Sequence, residues 1–226
     1  MLSDAPSKIL LVNKPKKWSS FDVVKKIRGL IKKKYNIHKI KVGHSGTLDP
    51  LASGLLIICT GSKTKEIKQF ESLDKEYVAT IKLGSVTESF DAETQETNHK
   101  PYSHILEKDI NNLFIKFTVE IKQFPPIFSA IKINGERLYK KARRGEKNIE
   151  LKKRSIIIYQ LKLMDIALPF IQFRVKCSKG TYIRTLAHDI GQKLACGAYL
   201  HKLIRTQIGE YDLQNAINIS NIANSL

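Results

Sequence analysis

The chain has 226 residues and 25.7 kDa, and at that length folding buries about 70% of the surface the unfolded chain exposes. Lys and Arg outnumber Asp and Glu by 39 to 21, a formal charge of +18, while 42% of the residues are hydrophobic; this excludes a disordered basic tail and suits a folded protein with a polyanionic partner, either nucleic acid or an anionic membrane. The longest apolar runs, Leu55–Cys59 and Ile156–Tyr159, fall far below the roughly 20 residues of a membrane span.

The N-terminal segment carries Asp4 and lacks a small-residue cleavage site, so no secretory leader is expected and the location is read as cytoplasmic. Ile9–Val12 reads as a short strand ending at Asn13-Lys14-Pro15, and Ser19 or Ser20 stands where a helix N-cap belongs. Across Phe21–Lys33 the apolar residues Val23, Val24, Ile27, Leu30 and Ile31 recur at helical spacing and leave a basic outer face. Between Val23 and Leu48 there are eight Lys or Arg and no acid, which is either a solvated face or an electrostatic footprint. Gly43–Gly54 is a Gly- and Ser-rich loop that opens into the buried-strand run Leu55–Cys59.

Tyr77–Leu83 alternates as a half-buried strand, Asp91–Pro101 reads as an exposed loop, and Ser103–Phe117 as a helix. Pro125-Pro126 precedes an expected strand over Ile127–Ile133, and Arg137–Arg154, with nine Lys or Arg against two Glu, reads as a second basic helix. Ile171–Cys177 gives the clearest alternation in the chain, and Thr181 opens a helix-like pattern through Ile190. Strands and helices intersperse without a βαβ repeat, so the expected class is α+β with a mixed or antiparallel central sheet flanked by helices and loops. Cys59, Cys177 and Cys196 form no C-x-x-C pair and are expected to be buried thiols.

Chemistry concentrates at Gly43-His44-Ser45-Gly46-Thr47-Leu48-Asp49-Pro50-Leu51-Ala52-Ser53-Gly54. Pro50 biases Asp49 away from the α region, so its carboxylate is presented from a loop, either as a catalytic group or as the cap of the following turn. A P-loop is a poor match because Gly46 lacks the following Gly-Lys-Ser/Thr.

This string closely resembles the catalytic motif of the TruB-type tRNA pseudouridine synthases. Five further segments resemble family motifs in the same order: Asn13–Ser20, Lys75–Tyr77, Gln123–Lys132, Gly135–Gly145 and Cys177–Leu186. The resemblance implies a pseudouridine synthase fold in a single catalytic domain over residues 1–226, without the C-terminal PUA domain of many relatives. It implies isomerisation of uridine-55 in the T-loop of tRNA, with no cofactor and no metal. Asp49 is the implied nucleophile, and Arg184 the implied partner that keeps its carboxylate charged. Tyr77 is implied to stack on the flipped base and to serve in proton transfer, Tyr182 to line the same pocket, and His44 to fill the space the base vacates. Leu203 aligns with an apolar pocket residue, although Leu203-Ile204-Arg205 departs from the family's L-R-R. Lys14 and Pro15 match structural positions that brace the loop, and Lys17 stands where Gly is common. Lys25–Lys41 and Arg137–Arg154 are implied tRNA-backbone contacts. The expected assembly is a monomer with no obligatory protein partner and no membrane. A guide-RNA-dependent synthase and an RNA-folding module are the competing readings.

Overall fold

The computed structural model describes residues 6–129, 131–133, 135–146 and 151–226. In chain order the elements are β1 (Ile9–Lys14), α1 (Ser20–Tyr35), β2 (Val42–Ser45), β3 (Ser53–Thr60), α2 (Ile67–Ser72), β4 (Lys75–Leu83), α3 (Glu107–Phe117), β5 (Glu120–Gln123), β6 (Lys132–Ile133), β7 (Glu136–Arg137), α4 (Leu138–Arg143), β8 (Arg154–Ala167), β9 (Phe170–Cys177), α5 (Ile183–Lys193), β10 (Ala198–Ile208), β11 (Tyr211–Asp212) and β12 (Ile217–Asn218). They form two compact units, Met1–Val78 with Leu203–Leu226, and Ala79–Lys202. The boundaries fall within β4 and β10.

In the first unit the strand order is β12-β1-β3-β10, with β2 also on β3 and β11 on β10. β1 pairs antiparallel with β3 and parallel with β12, and β10 runs parallel to β3 at Ile204–Ser53 and Arg205–Gly54. The unbroken apolar run of β3 follows from burial on both faces. Leu56 and Ile58 pack into a core with Val23, Val24, Ile27 and Ile31 of α1, while Leu55, Ile57 and Cys59 pack with Phe70 of α2 and Ile208 of β10. α1 starts where the sequence predicts. Ser19 Oγ accepts from Asp22 N–H at 3.1 Å and Asp22 Oδ2 accepts from Ser19 N–H at 2.8 Å, a reciprocal cap.

In the second unit the order is β4-β9-β8-β5, and the registers between β5, β8 and β9 are antiparallel. α3 buries Ile110, Phe114 and Phe117, and Phe114 meets Phe173 of β9 edge-on with ring centroids 5.3 Å apart. The chain is therefore α+β, with parallel and antiparallel pairing, as expected.

Three local expectations change. The second basic helix is confined to Leu138–Arg143: residues 144–145 turn, 147–150 lie outside the described residues, and by Arg154 the chain is already in β8. Its apolar residues cluster at Leu138, Tyr139 and Ala142, which is enough for under two turns. Of the strand expected over Ile127–Ile133, in which residue 130 lies outside the described residues, Lys132–Ile133 pairs with β7, and it is the only strand among the described residues of that span. Asp91, expected at the start of an exposed loop, is 5% exposed, because its carboxylate is committed to the partners described below.

Candidate active site

His44, Asp49, Tyr77 and Leu203 all belong to the first unit. Asp49 sits half-buried in the connection from β2 to β3, and that connection is pinned at four points. Ser20, on the first turn of α1, accepts from Leu48 N–H at 2.8 Å and donates to Leu48 O at 3.1 Å, so one hydroxyl satisfies both main-chain groups next to Asp49. Lys17 N–H donates to Pro50 O at 2.7 Å, and Ala52 N–H to Asp49 O at 3.1 Å. From β10, the Arg205 guanidinium donates to Gly46 O at 3.1 Å and to Leu55 O at 2.7 Å, gripping the two ends of the loop. Gly54 is required where β3 passes β10: with φ +107, a Cβ there would lie 2.3 Å from Arg205 O.

Two buried cations flank the carboxylate. Lys14, fully buried at the end of β1, donates from Nζ to Pro15 O at 3.0 Å and to Trp18 O at 2.5 Å. Burial pulls its ammonium down to about 8, against the attraction of Asp49 and helped by the repulsion of Arg205. Arg205 is 1% exposed; burial pulls it below its ordinary value, opposed by a hydrogen bond from the guanidinium to Tyr77 and by the charge of Asp49. Tyr77, on the buried face of β4, is thus linked to the same guanidinium that holds the loop. Leu203 precedes Arg205 by two residues on β10, so the period-two rule puts both on one face, and Leu203 is 8% exposed. His44 stands on β2 opposite Ile58. Burial first and the Arg205 charge second lower its pKa, so the imidazole is neutral at pH 7, and its Nδ1 is buried with no hydrogen-bond partner among the described residues. This cluster offers a carboxylate held by cations, a phenol and a neutral imidazole: an acid–base and nucleophile set without a thiol.

Tyr182 and Arg184 belong to the second unit, at the start of α5. Gln123 fixes that start by accepting from Tyr182 N–H at 2.8 Å and donating to Tyr182 O at 3.1 Å, and Thr185 Oγ1 donates to Phe124 O at 3.1 Å. Arg184, 4% exposed, donates to Ser89 O at 3.1 Å and lies 3.6 Å from the Asp91 carboxylate. The other Asp91 oxygen accepts from Ser89 Oγ at 2.6 Å and Glu93 N–H at 2.9 Å. The Ser89 carbonyl by hydrogen bond and the Asp91 carboxylate by charge thus help to hold the Arg184 side chain within this unit.

Sequence reasoning missed Ser20, Gln123, Asp91 and Arg205. Ser20 was visible as a helix-start residue, and Gln123 inside a family-like motif, but neither advertised a reach of 28 or 59 residues along the chain. Arg205 was legible only as the second basic position of the L-R-R-like segment.

The family model described as "TruB family pseudouridylate synthase (N terminal domain)" matches residues 32–183, more than half of the chain, and the one described as "tRNA pseudouridylate synthase B C-terminal domain" matches 184–226. The chain is 48% identical over 211 residues to tRNA pseudouridine synthase B of Phocaeicola vulgatus, covering 93% of this chain and 89% of the relative. It is 49% identical over 219 residues to the protein of the same name from Flavobacterium johnsoniae, covering 96% and 95%. Among solved structures it resembles a chain of a Cbf5-Nop10-Gar1 complex at 28% identity and TM-score 0.69, and a chain of an H/ACA RNP bound to a substrate RNA containing 2'-deoxyuridine at 26% and 0.67. It covers 96% of its own length in both comparisons, but spans about half of those solved chains (53% and 52%).

Proposed function

The chain belongs to the TruB family of pseudouridylate synthases, and from that membership we propose that it isomerises uridine-55 in the T-loop of tRNA to pseudouridine with Asp49 as nucleophile. The observation that carries this reading is the Asp49 loop, gripped by Ser20, Lys17 and Arg205 and flanked by the buried charges of Lys14 and Arg205. A carboxylate used only to cap a turn needs no such electrostatic surroundings.

The reaction breaks the N1–C1′ bond, turns the base, forms C5–C1′, moves the C5 proton away and returns a proton to N1. Asp49 supplies the electron pair, to C6 of the base or to C1′ of the ribose, or assists a glycal. Tyr77 is proposed to face the flipped base and take part in the proton transfer; its link to Arg205 supports that role by favouring developing negative charge on the phenol oxygen. His44 fills the space the base leaves, and its neutral ring adds no further cation beside Lys14 and Arg205. Leu203 contributes an apolar wall. Tyr182 and Arg184 are assigned to the pocket and to the Asp49 carboxylate by their match to the T-Y-I-R motif, and Gln123 and Asp91 support them as positioning residues. Extracting the base costs a few kcal/mol of lost stacking, which phosphate contacts at Lys25–Lys41 and Arg137–Arg154 help to offset.

The protein works on this proposal as a single catalytic domain, as a cytoplasmic monomer, with tRNA as partner, no obligatory protein partner and no cofactor or metal. No helix of the described residues is long and apolar enough to cross a membrane. Incubation of unmodified tRNA transcript with the purified protein, followed by carbodiimide modification and primer extension, tests the reading: one stop at position 55 is expected. A stop elsewhere overturns the substrate assignment, and RNA binding without any stop favours the RNA-folding module.

A further inference from the structure

Beside the catalytic loop, α1 and the turn that precedes it enclose a groove of roughly 590 Å³ lined by Lys17, Trp18, Lys25, Lys26, Gly29, Leu30 and Lys33, with Asp22 at its edge. Asp22 is already engaged in the helix cap, so four lysines face a concave surface whose apolar lining is Trp18 and Leu30.

Two features of this groove carry a local cost. Lys17 has φ +71, a left-handed conformation that a lysine adopts with strain and a glycine adopts freely. Gly29 lies in the middle of α1, where glycine weakens a helix, yet a Cβ at that position would meet nothing within 4 Å. The bond from Lys17 N–H to Pro50 O needs the turn but not a lysine side chain, and no packing demand explains Gly29. Both make sense if something from outside fills the groove: Lys17 places a cation on one wall, and Gly29 lets that occupant approach the helix backbone on the other.

We infer that this groove is a nucleic-acid subsite, in which the lysines hold RNA phosphates and the face of Trp18 receives a nucleoside. The inference rests on the proposed tRNA substrate and goes beyond it by assigning a second contact region, distinct from the pocket for the reacting base. Charge complementarity selects the occupant. Four cations around a half-buried indole, packed on the core on one side and lining the groove on the other, match a phosphodiester chain with stackable bases. The subsite is also joined to the catalytic loop: Lys17 N–H bonds to Pro50 O, and Lys14, the buried cation near Asp49, bonds to Trp18 O. RNA seated in the groove therefore braces the turn from which Asp49 is positioned.

Trp18 is the only tryptophan of the chain, so its fluorescence reports on this groove alone. The experiment titrates the full-length protein with unmodified tRNA transcript while recording Trp18 emission, measures the salt dependence of binding, and counts pseudouridine separately. The inference expects a saturable emission change. Lys25→Glu, Lys26→Glu and Lys33→Glu combined should weaken binding at least tenfold and make the slope of log K against log salt shallower by about 2 to 3. Lys65→Glu, Lys108→Glu and Lys116→Glu combined, an equal charge change at exposed positions outside the groove and outside both basic stretches, should have a smaller effect. Lys17→Gly should raise the melting temperature yet weaken RNA binding, two effects of opposite sign that net charge or general destabilisation does not produce together. If pseudouridine forms normally while Trp18 emission stays constant, or if the control triple weakens binding as much as the groove triple, the subsite is refuted and the proposed activity stands. If RNA neither binds nor reacts, the proposed activity fails and the subsite fails with it.

Discussion

Replacing Arg205 by Met removes the guanidinium that spans the Asp49 loop while keeping a side chain of adequate length to fill the space. Two charge-assisted hydrogen bonds are lost, at 2.7 Å to Leu55 O and 3.1 Å to Gly46 O, each worth about 1.5–3 kcal/mol. The link to Tyr77 and the attraction to Asp49 go as well. Arg205 is almost fully buried, so water does not replace these partners, and loss of one member of a buried charged array costs about 3–5 kcal/mol. Relief of the repulsion between Arg205 and Lys14 returns part of that, which places the expected loss toward the lower end, about 3 kcal/mol. Denaturant unfolding monitored by far-UV circular dichroism measures it, and single-turnover pseudouridine formation measures the second consequence. Displacing a catalytic group by about 1 Å costs on the order of a hundredfold in rate, and freeing Gly46 permits such a shift at Asp49. Arg205→Lys should recover only part of both losses, because an ammonium cannot span two carbonyls as a planar fork does. Stability lowered by less than about 1 kcal/mol together with unchanged turnover for Arg205→Met would refute the view that this guanidinium organises the site.

Three further outcomes are expected. Ser20→Ala leaves Leu48 N–H and O without their buried partner, and should cost about 1–3 kcal/mol and lower turnover without altering RNA affinity, as a comparison of kcat with binding would show. Lys14 has a folded pKa of about 8, below its ordinary value; the unfolded chain therefore binds more protons between about pH 8 and 10.5, and the Lys14 contribution to stability rises with pH across that window. Turnover should fall over the same range as the cation near Asp49 is discharged, and Lys14→Met should flatten that limb of the pH–rate profile. In the second unit, hydrogen bonds from Lys82 and Tyr199 hold the Glu96 carboxyl down to about 2, so its stabilisation is complete above the ordinary glutamate range and is lost as pH falls toward 2. Glu96→Gln should flatten the acid side of the unfolding curve without changing activity.

The parts of the fold legible in the sequence are those whose residues obey a single period. β1, α1, β4 and β9 bury one face or one stripe, and their alternation or helical spacing announces them. β3 was legible as a buried run because both of its faces are covered. β8 was not read as a strand: of its 14 residues only Ile156 and Ile158 are buried, its register shifts twice, and Ile157, Tyr159 and Met164 are exposed where alternation would place polar residues. β10 escaped because Tyr199, Leu200 and Arg205 are buried without an apolar period.

At the site, motif resemblance led to Asp49, Tyr77, His44 and Leu203, which the fold gathers in one unit. Their supports were invisible because they act over long separations. Arg205 reaches Gly46 across 159 residues, and a buried arginine looks in sequence like any surface cation. The burial of Asp91 is hidden for the same reason: in sequence it stands in a polar stretch, and only the partner side chain reveals that a carboxylate is buried. The basic character of α1 was plain, but the groove that gives four of its neighbouring cations a shape depends on the left-handed turn at Lys17, which no periodicity announces.

The central claim is that Asp49 performs the isomerisation, and Asp49→Asn tests it most directly because it keeps shape while removing the charge and nucleophile. Pseudouridine should be mapped on tRNA transcript with the variant and the unsubstituted protein at matched RNA occupancy, set by Trp18 emission or filter binding. The account predicts a single modification at position 55 with the unsubstituted protein, and none with Asp49→Asn while RNA binding persists. Pseudouridine formation by Asp49→Asn at an undiminished rate would contradict it.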